Sequence, residues 1–191
     1  EGGLLNTFVP TEIAMLLWAL GRAGVKDDHF MRAVGLRLLR PGFLSGFNAH
    51  ALSNTIWAFV VLEYRSPLLM SHFAEALLRP HFLSTFKPKE IACVAWAYAT
   101  LGSKNPALMD GIAQWYFDTG LRSGLSGPQA VQLVWAFAAL GVRHEALLAA
   151  CKGHILQSLS LAALAPRDVA LTVWAYGKLQ VHDAALLQII S

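Results

Sequence analysis

Basic side chains recur in this chain at a fixed interval of 39 residues. Lys26, Arg65, Lys104, Arg143 and His182 follow one another at that spacing, and the first four carry a permanent positive charge. A regular row of cations is the pattern expected for contact with a phosphate backbone. The same side chains could instead keep a turn solvated or cap the negative end of a helix. We interpret them as a candidate phosphate-binding row, with solubility or capping as the alternative.

The same interval separates five Trp-Ala pairs, which begin at Trp18, Trp57, Trp96, Trp135 and Trp174. A period of about 20 to 50 residues indicates stacked supersecondary units. With each Trp numbered zero, the basic side chains stand at position +8, and we call them the cation row. Repeats with approximate bounds 8–46, 47–85, 86–124, 125–163 and 164–191 fill the chain, the last one being incomplete. We therefore predict one array over residues 1–191, and we expect it to be a piece of a longer protein.

Each repeat is predicted to form two helices. Helix A begins at position −8, where Pro10, Pro88 and Pro166 stand, because proline is tolerated in a first helical turn. It ends near +5, and glycine follows at +6 in three repeats. Helix B begins at +10 and carries an apolar face. The predicted fold class is all-α, an α-solenoid in which five helical hairpins of about 39 residues stack as a right-handed superhelix.

One side of helix A is predicted to form a binding groove. At about 100° per residue, positions −5, −1 and +2 form the core side, whereas −7, −3, +1 and +4 form a stripe of different composition. Position +1 is always alanine, and the other three positions vary and are often polar. Small fixed residues would allow close backbone approach, and variable ones would discriminate between ligands. The predicted groove residues are Arg22, His50, Asn54, Lys89, Thr100, Gln132, Arg167 and Lys178.

The remaining reactive and aromatic residues are predicted to be structural. The repeated Trp residues and Trp115 are expected to pack, although an exposed Trp could stack on a nucleobase. Cys93 and Cys151 stand at different repeat positions without metal-ligand spacing, so we predict reduced core thiols. No His-Glu-x-x-His, phosphate-binding glycine loop or nucleophile elbow occurs. We therefore predict no catalytic residue, metal site or cofactor, and we do not expect an enzyme.

The composition is apolar for a soluble domain. Hydrophobic residues make up 55% of the chain and charged residues 14%, against about 25% charged residues in typical soluble domains. Much of each repeat must therefore be covered by its neighbours or by a partner. The net charge of +3 permits an anionic partner without requiring one. The long uncharged runs 41–62 and 123–142 contain glycine and polar residues, so we expect no membrane insertion.

Two stretches carry a longer motif. Residues 86–102 match Phe-x-Pro-x-Glu-Ile-Ala followed by a Trp-Ala-(Phe/Tyr)-x-x-Leu-Gly block, and residues 8–24 nearly match it. With five copies in register, the chain resembles the organellar helical repeats called octotricopeptide repeats in algae and heptatricopeptide repeats in apicomplexans. It also resembles the repeat region of the FAST kinase-like proteins. The second repeat departs from the motif, with Ala-His-Ala at 49–51 in place of the Pro-x-Glu start.

The resemblance implies a protein of mitochondria, or alternatively of chloroplasts, that binds single-stranded RNA along its repeats. Some proteins of this kind look like architectural components of divergent mitochondrial ribosomes. Because the net charge is modest and the apolar content high, we predict such a role, in contact with ribosomal RNA and with neighbouring proteins of a ribonucleoprotein complex. Members often carry a nuclease-like RAP domain at the carboxy terminus. None is visible in this sequence, so we predict no cleavage activity.

Three alternatives stay open. The chain could be a free organellar factor for RNA stability, processing or translation. It could also be a protein-binding α-solenoid scaffold that grips a peptide or helix, or a segment that only spaces flanking domains and binds no ligand. Salt would separate RNA from protein partners, because phosphate contacts weaken steeply with ionic strength and an apolar groove is nearly indifferent to it.

Overall fold

The computed structural model describes residues 3–118, 124–160 and 163–181, and these residues are helical without any strand. The predicted all-α class is therefore confirmed. Among these residues, short 3-10 turns occur at Leu4–Asn6, Phe43–Gly46 and Leu83–Thr85. The helices are α1 (Pro10–Ala23), α2 (Asp28–Leu38), α3 (Ala49–Val61), α4 (Pro67–Leu77), α5 (Pro88–Thr100), α6 (Pro106–Asp118), α7 (Gly127–Ala139), α8 (Glu145–Ser160) and α9 (Pro166–Lys178).

The helix starts follow the predicted positions. Each of α1, α3, α5, α7 and α9 begins eight residues before its Trp, at position −8. Each of α2, α4, α6 and α8 begins ten residues after its Trp, at position +10. The odd-numbered helices are thus the A helices and the even-numbered ones the B helices. The predicted helix B of the fifth repeat lies outside the described residues.

Local side-chain caps explain why the A helices begin where they do. The backbone N–H of Val9 donates to the Glu12 carboxylate at 2.8 Å, which satisfies a donor that the helix itself leaves unpaired. The second repeat lacks an acid at this position, and there the Asn48 side chain accepts from the backbone N–H of Ala51 at 2.8 Å. Its departure from the motif is therefore compensated. Equivalent caps join Lys87 to Glu90, Ser126 to Gln129 and Ala165 to Asp168.

The residue at position +6, after each A helix, has a left-handed backbone conformation with positive φ. In three repeats it is glycine, and Gly102 has φ of 65°. In the other two, Glu63 has φ of 58° and Gln180 has φ of 55°. Glycine is preferred at +6 because it adopts positive φ without steric cost.

The residues form two compact units, Glu1–Phe86 and Lys87–Ser191. In the first unit, α1 and α3 pack side by side, with Ile13, Leu17 and Leu52 fully buried between the helices. Helix A also packs on helix B, since the rings of Phe59 and Phe73 meet edge to face at 5.7 Å. The predicted core side of helix A is thus buried in this unit.

In the second unit, α7 packs against α5, α8 and α9. Tyr176 on α9 donates from its hydroxyl to the backbone carbonyl of Leu148 on α8 at 2.8 Å. The hydroxyl of Tyr116 on α6 lies 3.0 Å from Nε2 of His154 on α8. Consecutive hairpins of this unit are therefore joined by hydrogen bonds as well as by apolar packing. Trp115 is buried in the same unit, as predicted.

Cys151 is buried, and Cys93 is half-buried on α5. Burial raises the pKa of Cys93 to about 11 and that of Cys151 to about 12. Both thiols are therefore protonated at neutral pH and are poor nucleophiles. Both are free of disulfides, as the sequence predicted.

Candidate nucleic-acid interface

The four described members of the cation row, Lys26, Arg65, Lys104 and Arg143, are exposed in the turns between helices A and B. Two of them reach the next repeat. Lys26 Nζ lies 2.6 Å from a Glu63 carboxylate oxygen, at position +6 of the second repeat. Arg143 donates from Nη1 to the Leu179 carbonyl at 3.4 Å, immediately after α9. His182 lies outside the described residues.

The contact of Arg143 favours the capping alternative at that position, whereas Lys26 forms an ion pair with the next repeat. The Arg143 guanidinium stands at the carboxy-terminal end of α9, where the helix dipole attracts a cation. It also forms an ion pair with Glu145 in its own repeat. The hydrogen bond and charge of Lys26 lower the pKa of Glu63 below 4.5. By contrast, Arg65 and Lys104 form no ion pair within the described part of the chain.

The predicted groove residues stand on the A helices with differing exposure. Six of the eight are exposed, and Asn54 and Gln132 are half-buried. Asn54 Nδ2 lies 3.1 Å from His50 Nε2, one turn away. The six exposed ones stand at positions −7 and +4, and they are Arg22, His50, Lys89, Thr100, Arg167 and Lys178.

The alanine at +1 was wrongly assigned to the groove. Ala58, Ala97, Ala136 and Ala175 are fully buried, and only Ala19 in α1 is exposed. Three of the buried alanines lie in α3, α7 and α9, each of which packs against the A helix before it. Position +1 is therefore small so that neighbouring A helices can approach. The accessible surface is narrower than predicted: it comprises positions −7, −3, 0 and +4, which we call the front strip.

The repeated Trp stands at position 0, at the edge of this strip. The ring of Trp57 packs on Gly21 of the preceding A helix, which confirms the predicted packing role at that position. Trp18 and Trp174, however, are each 46% exposed. The sequence interpretation missed this exposure. Each of the two is followed four residues later by a cation, Arg22 or Lys178.

The front strip is basic and contains no carboxylate. Its four positions in five repeats hold Arg22, Lys89, Arg167 and Lys178 and neither Asp nor Glu. The acidic residues of helix A stand instead at −6, where Glu12, Glu90 and Asp168 accept bonds from the helix N-terminus. The strip therefore combines positive charge, amide and hydroxyl groups and aromatic rings, which is the chemistry of single-stranded nucleic-acid binding.

Residues 3–118, 124–160 and 163–181 contain no group of three or more His, Cys, Asp or Glu side chains placed to hold a metal ion. Among the same residues, no helix combines the length and the apolar character needed to cross a bilayer.

No family model matches this chain, and comparison with curated proteins yields no match either. The resemblance to octotricopeptide and heptatricopeptide repeats therefore rests on the sequence motifs alone, and it stays a prediction.

Proposed function

We propose that this chain is an RNA-binding α-solenoid. Its five hairpin repeats stack in register as a right-handed superhelix, and single-stranded RNA lies along the front strips of the A helices. Two observations support the stacking: helix starts recur every 39 residues, and within each unit neighbouring A helices pack side by side. The carboxylate-free front strip is the observation that carries the RNA assignment.

Two features distinguish this surface from an ordinary solvated helix face. A typical exposed face mixes both signs of charge, whereas every charged residue of the front strip is a cation. Exposed indole rings beside those cations add a surface on which bases can stack. Lys89, Arg167 and Lys178 would contact phosphates, and Asn54, Thr100 and Gln132 would contact base edges or sugars. Arg65 and Lys104 would add phosphate contacts beside the strip.

We further propose that the RNA is ribosomal and that the protein is an architectural component of a mitochondrial ribosome. The apolar composition and the net charge of only +3 suit a protein embedded among neighbours. A free organellar factor for RNA stability, processing or translation is the second form of the same proposal.

Fluorescence anisotropy with a labelled oligouridine tests the RNA assignment. We expect the logarithm of the dissociation constant to rise with the logarithm of salt concentration, with a slope of about 0.7 for each phosphate contacted. Three or more contacts would give a slope above about 2. A protein-binding scaffold would show no binding to oligouridine, and that result would refute the proposal.

A further inference from the structure

The five Trp residues of the front strip are not equivalent. Trp18 and Trp174 are each 46% exposed, whereas the Trp residues of the second, third and fourth repeats are half-buried. The two exposed rings are also the two that have a cation four residues later, Arg22 and Lys178. The other three repeats carry Val61, Thr100 and Ala139 at that position. Exposure of the ring and a neighbouring cation therefore occur together.

The pair in α9 shows how the ring and the cation are arranged. The Lys178 Nζ lies 4.8 Å from the centroid of the Trp174 ring, in cation–π contact. The same ammonium lies 3.3 Å from the backbone carbonyl of Ala139, at the end of α7. Because residues four apart on a helix share one face, the side chains of Trp174 and Lys178 lie on the same side of α9. The ammonium is thus held beside an exposed indole.

This arrangement matches the two parts of a nucleotide. The exposed indole offers a π-face to a base of any sequence, and the ammonium is a point charge suited to phosphate. The contact of Lys178 with Ala139 is long and exposed, so a phosphate can replace the carbonyl at low cost. The front strip around the pair carries no carboxylate that would repel the phosphate.

We propose that Trp174 and Lys178 form a nucleotide-binding site in which the indole stacks on a base and the ammonium binds an adjacent phosphate. The inference rests on the proposed RNA-binding function and names residues that contribute affinity. It assigns to Trp174 a ligand-binding role that the half-buried Trp57, Trp96 and Trp135 do not share. Because stacking is tolerant of sequence, the site accepts any base.

Anisotropy titrations of Trp174→Leu against labelled oligouridine and oligoadenosine test the inference. The loss of one stacked base should weaken binding of both RNAs by about five- to 100-fold and leave the salt slope unchanged. Trp174→Phe should retain most of the affinity, because it keeps an aromatic face. Lys178→Gln should reduce the salt slope by about 0.7. Leu68→Ala is the matched control, since Leu68 is a large exposed apolar residue on a B helix and should leave binding unchanged.

The outcomes separate the two proposals. If the wild-type chain binds RNA and Trp174→Leu binds equally well, the stacking site is refuted and RNA binding stands. If the wild-type chain binds neither RNA, the proposed function fails and the inference fails with it. Should Trp174→Leu not fold, quenching of indole emission by oligouridine is compared between wild-type protein and Trp174→Phe. Equal quenching in the two would overturn the inference.

Discussion

The indole ring of Trp57 lies directly against Gly21: a Cβ added to this glycine would be 2.8 Å from Cζ3 of the ring. Gly21 is at position +3 of the first repeat, and Trp57 is at position 0 of the second. The contact shows that Trp57 packs across the seam between α1 and α3. Space at +3 is therefore part of what sets the distance between them.

Substitution of Gly21 tests this packing role. Gly21→Ala should lower the free energy of unfolding by about 1–3 kcal/mol, because the added methyl group must displace the Trp57 ring. Gly177→Ala is the matched control at the same repeat position, where an added Cβ meets nothing within 4 Å. Gly177→Ala should raise the free energy of unfolding by about 0.5–1 kcal/mol through helix propensity alone. Urea unfolding of both variants makes the comparison, and equal stabilities would contradict the packing role.

Because the residue after helix A has a positive φ, we expect Gly→Ala to have opposite effects on stability there and inside a helix. Gly102 has φ of 65° and open space around it, so Gly102→Ala should cost about 1 kcal/mol of stability for conformational reasons. Gly153 also has open space but lies inside α8, so Gly153→Ala should stabilise by about 0.5–1 kcal/mol. Thermal unfolding of both variants provides the measurement. A stabilising Gly102→Ala would show that positive φ is not required there.

The contact between Lys26 and Glu63 predicts a pH dependence. Lys26→Gln should raise the pKa of Glu63 toward 4.5, because it removes the main cause that lowers it. Since the folded-state pKa is lowered, the contact stabilises the wild-type protein above about pH 4.5, and this contribution is lost as the pH falls through the lowered pKa. A carbon NMR titration of the Glu63 carboxyl reports the change. Lys104→Gln is the control, and a Glu63 pKa equal in wild type and Lys26→Gln would disprove the coupling.

Removal of charge distinguishes the contribution of the front strip to RNA binding from that of the cation row. The triple variant Lys89→Gln, Arg167→Gln and Lys178→Gln should reduce the salt slope of oligouridine binding by about 2, at about 0.7 per phosphate contact. The double variant Arg65→Gln and Lys104→Gln should reduce it by about 1.4 if both residues contact phosphate. An unchanged slope in the double variant would assign the whole cation row to turns and caps. An unchanged slope in the triple variant would show that the cations of the front strip do not contact phosphates.

The helices could be predicted from the sequence because their signals are local. Pro10, Pro88 and Pro166 mark the first turns of three A helices, and each predicted start matches the structure. Glycine at +6 marks the left-handed turn in three repeats for the same reason. Asn48 also caps its helix through a bond within one turn. Such effects depend on a few neighbouring residues, so they can be read from spacing alone.

The sides of helix A that face its neighbours could not be predicted in the same way. Alanine at +1 is as compatible with a ligand groove as with a tight seam between helices, and only the packing of α3 on α1 identifies Ala58 as buried. The ion pair between Lys26 and Glu63 likewise depends on how the first two repeats pack against each other. The exposure of Trp174 follows from tertiary packing as well. These features arise between repeats, where one repeat's sequence carries no information on its own.

Ultraviolet crosslinking in the native organelle tests the central claim most directly. The RNA attached to this protein is sequenced, and the crosslinked peptides are identified by mass spectrometry. Our account predicts one short stretch of ribosomal RNA, attached to peptides of the A helices that include Lys89 in α5 and Trp174 in α9. The absence of RNA above background, or crosslinks confined to the B helices, would contradict it.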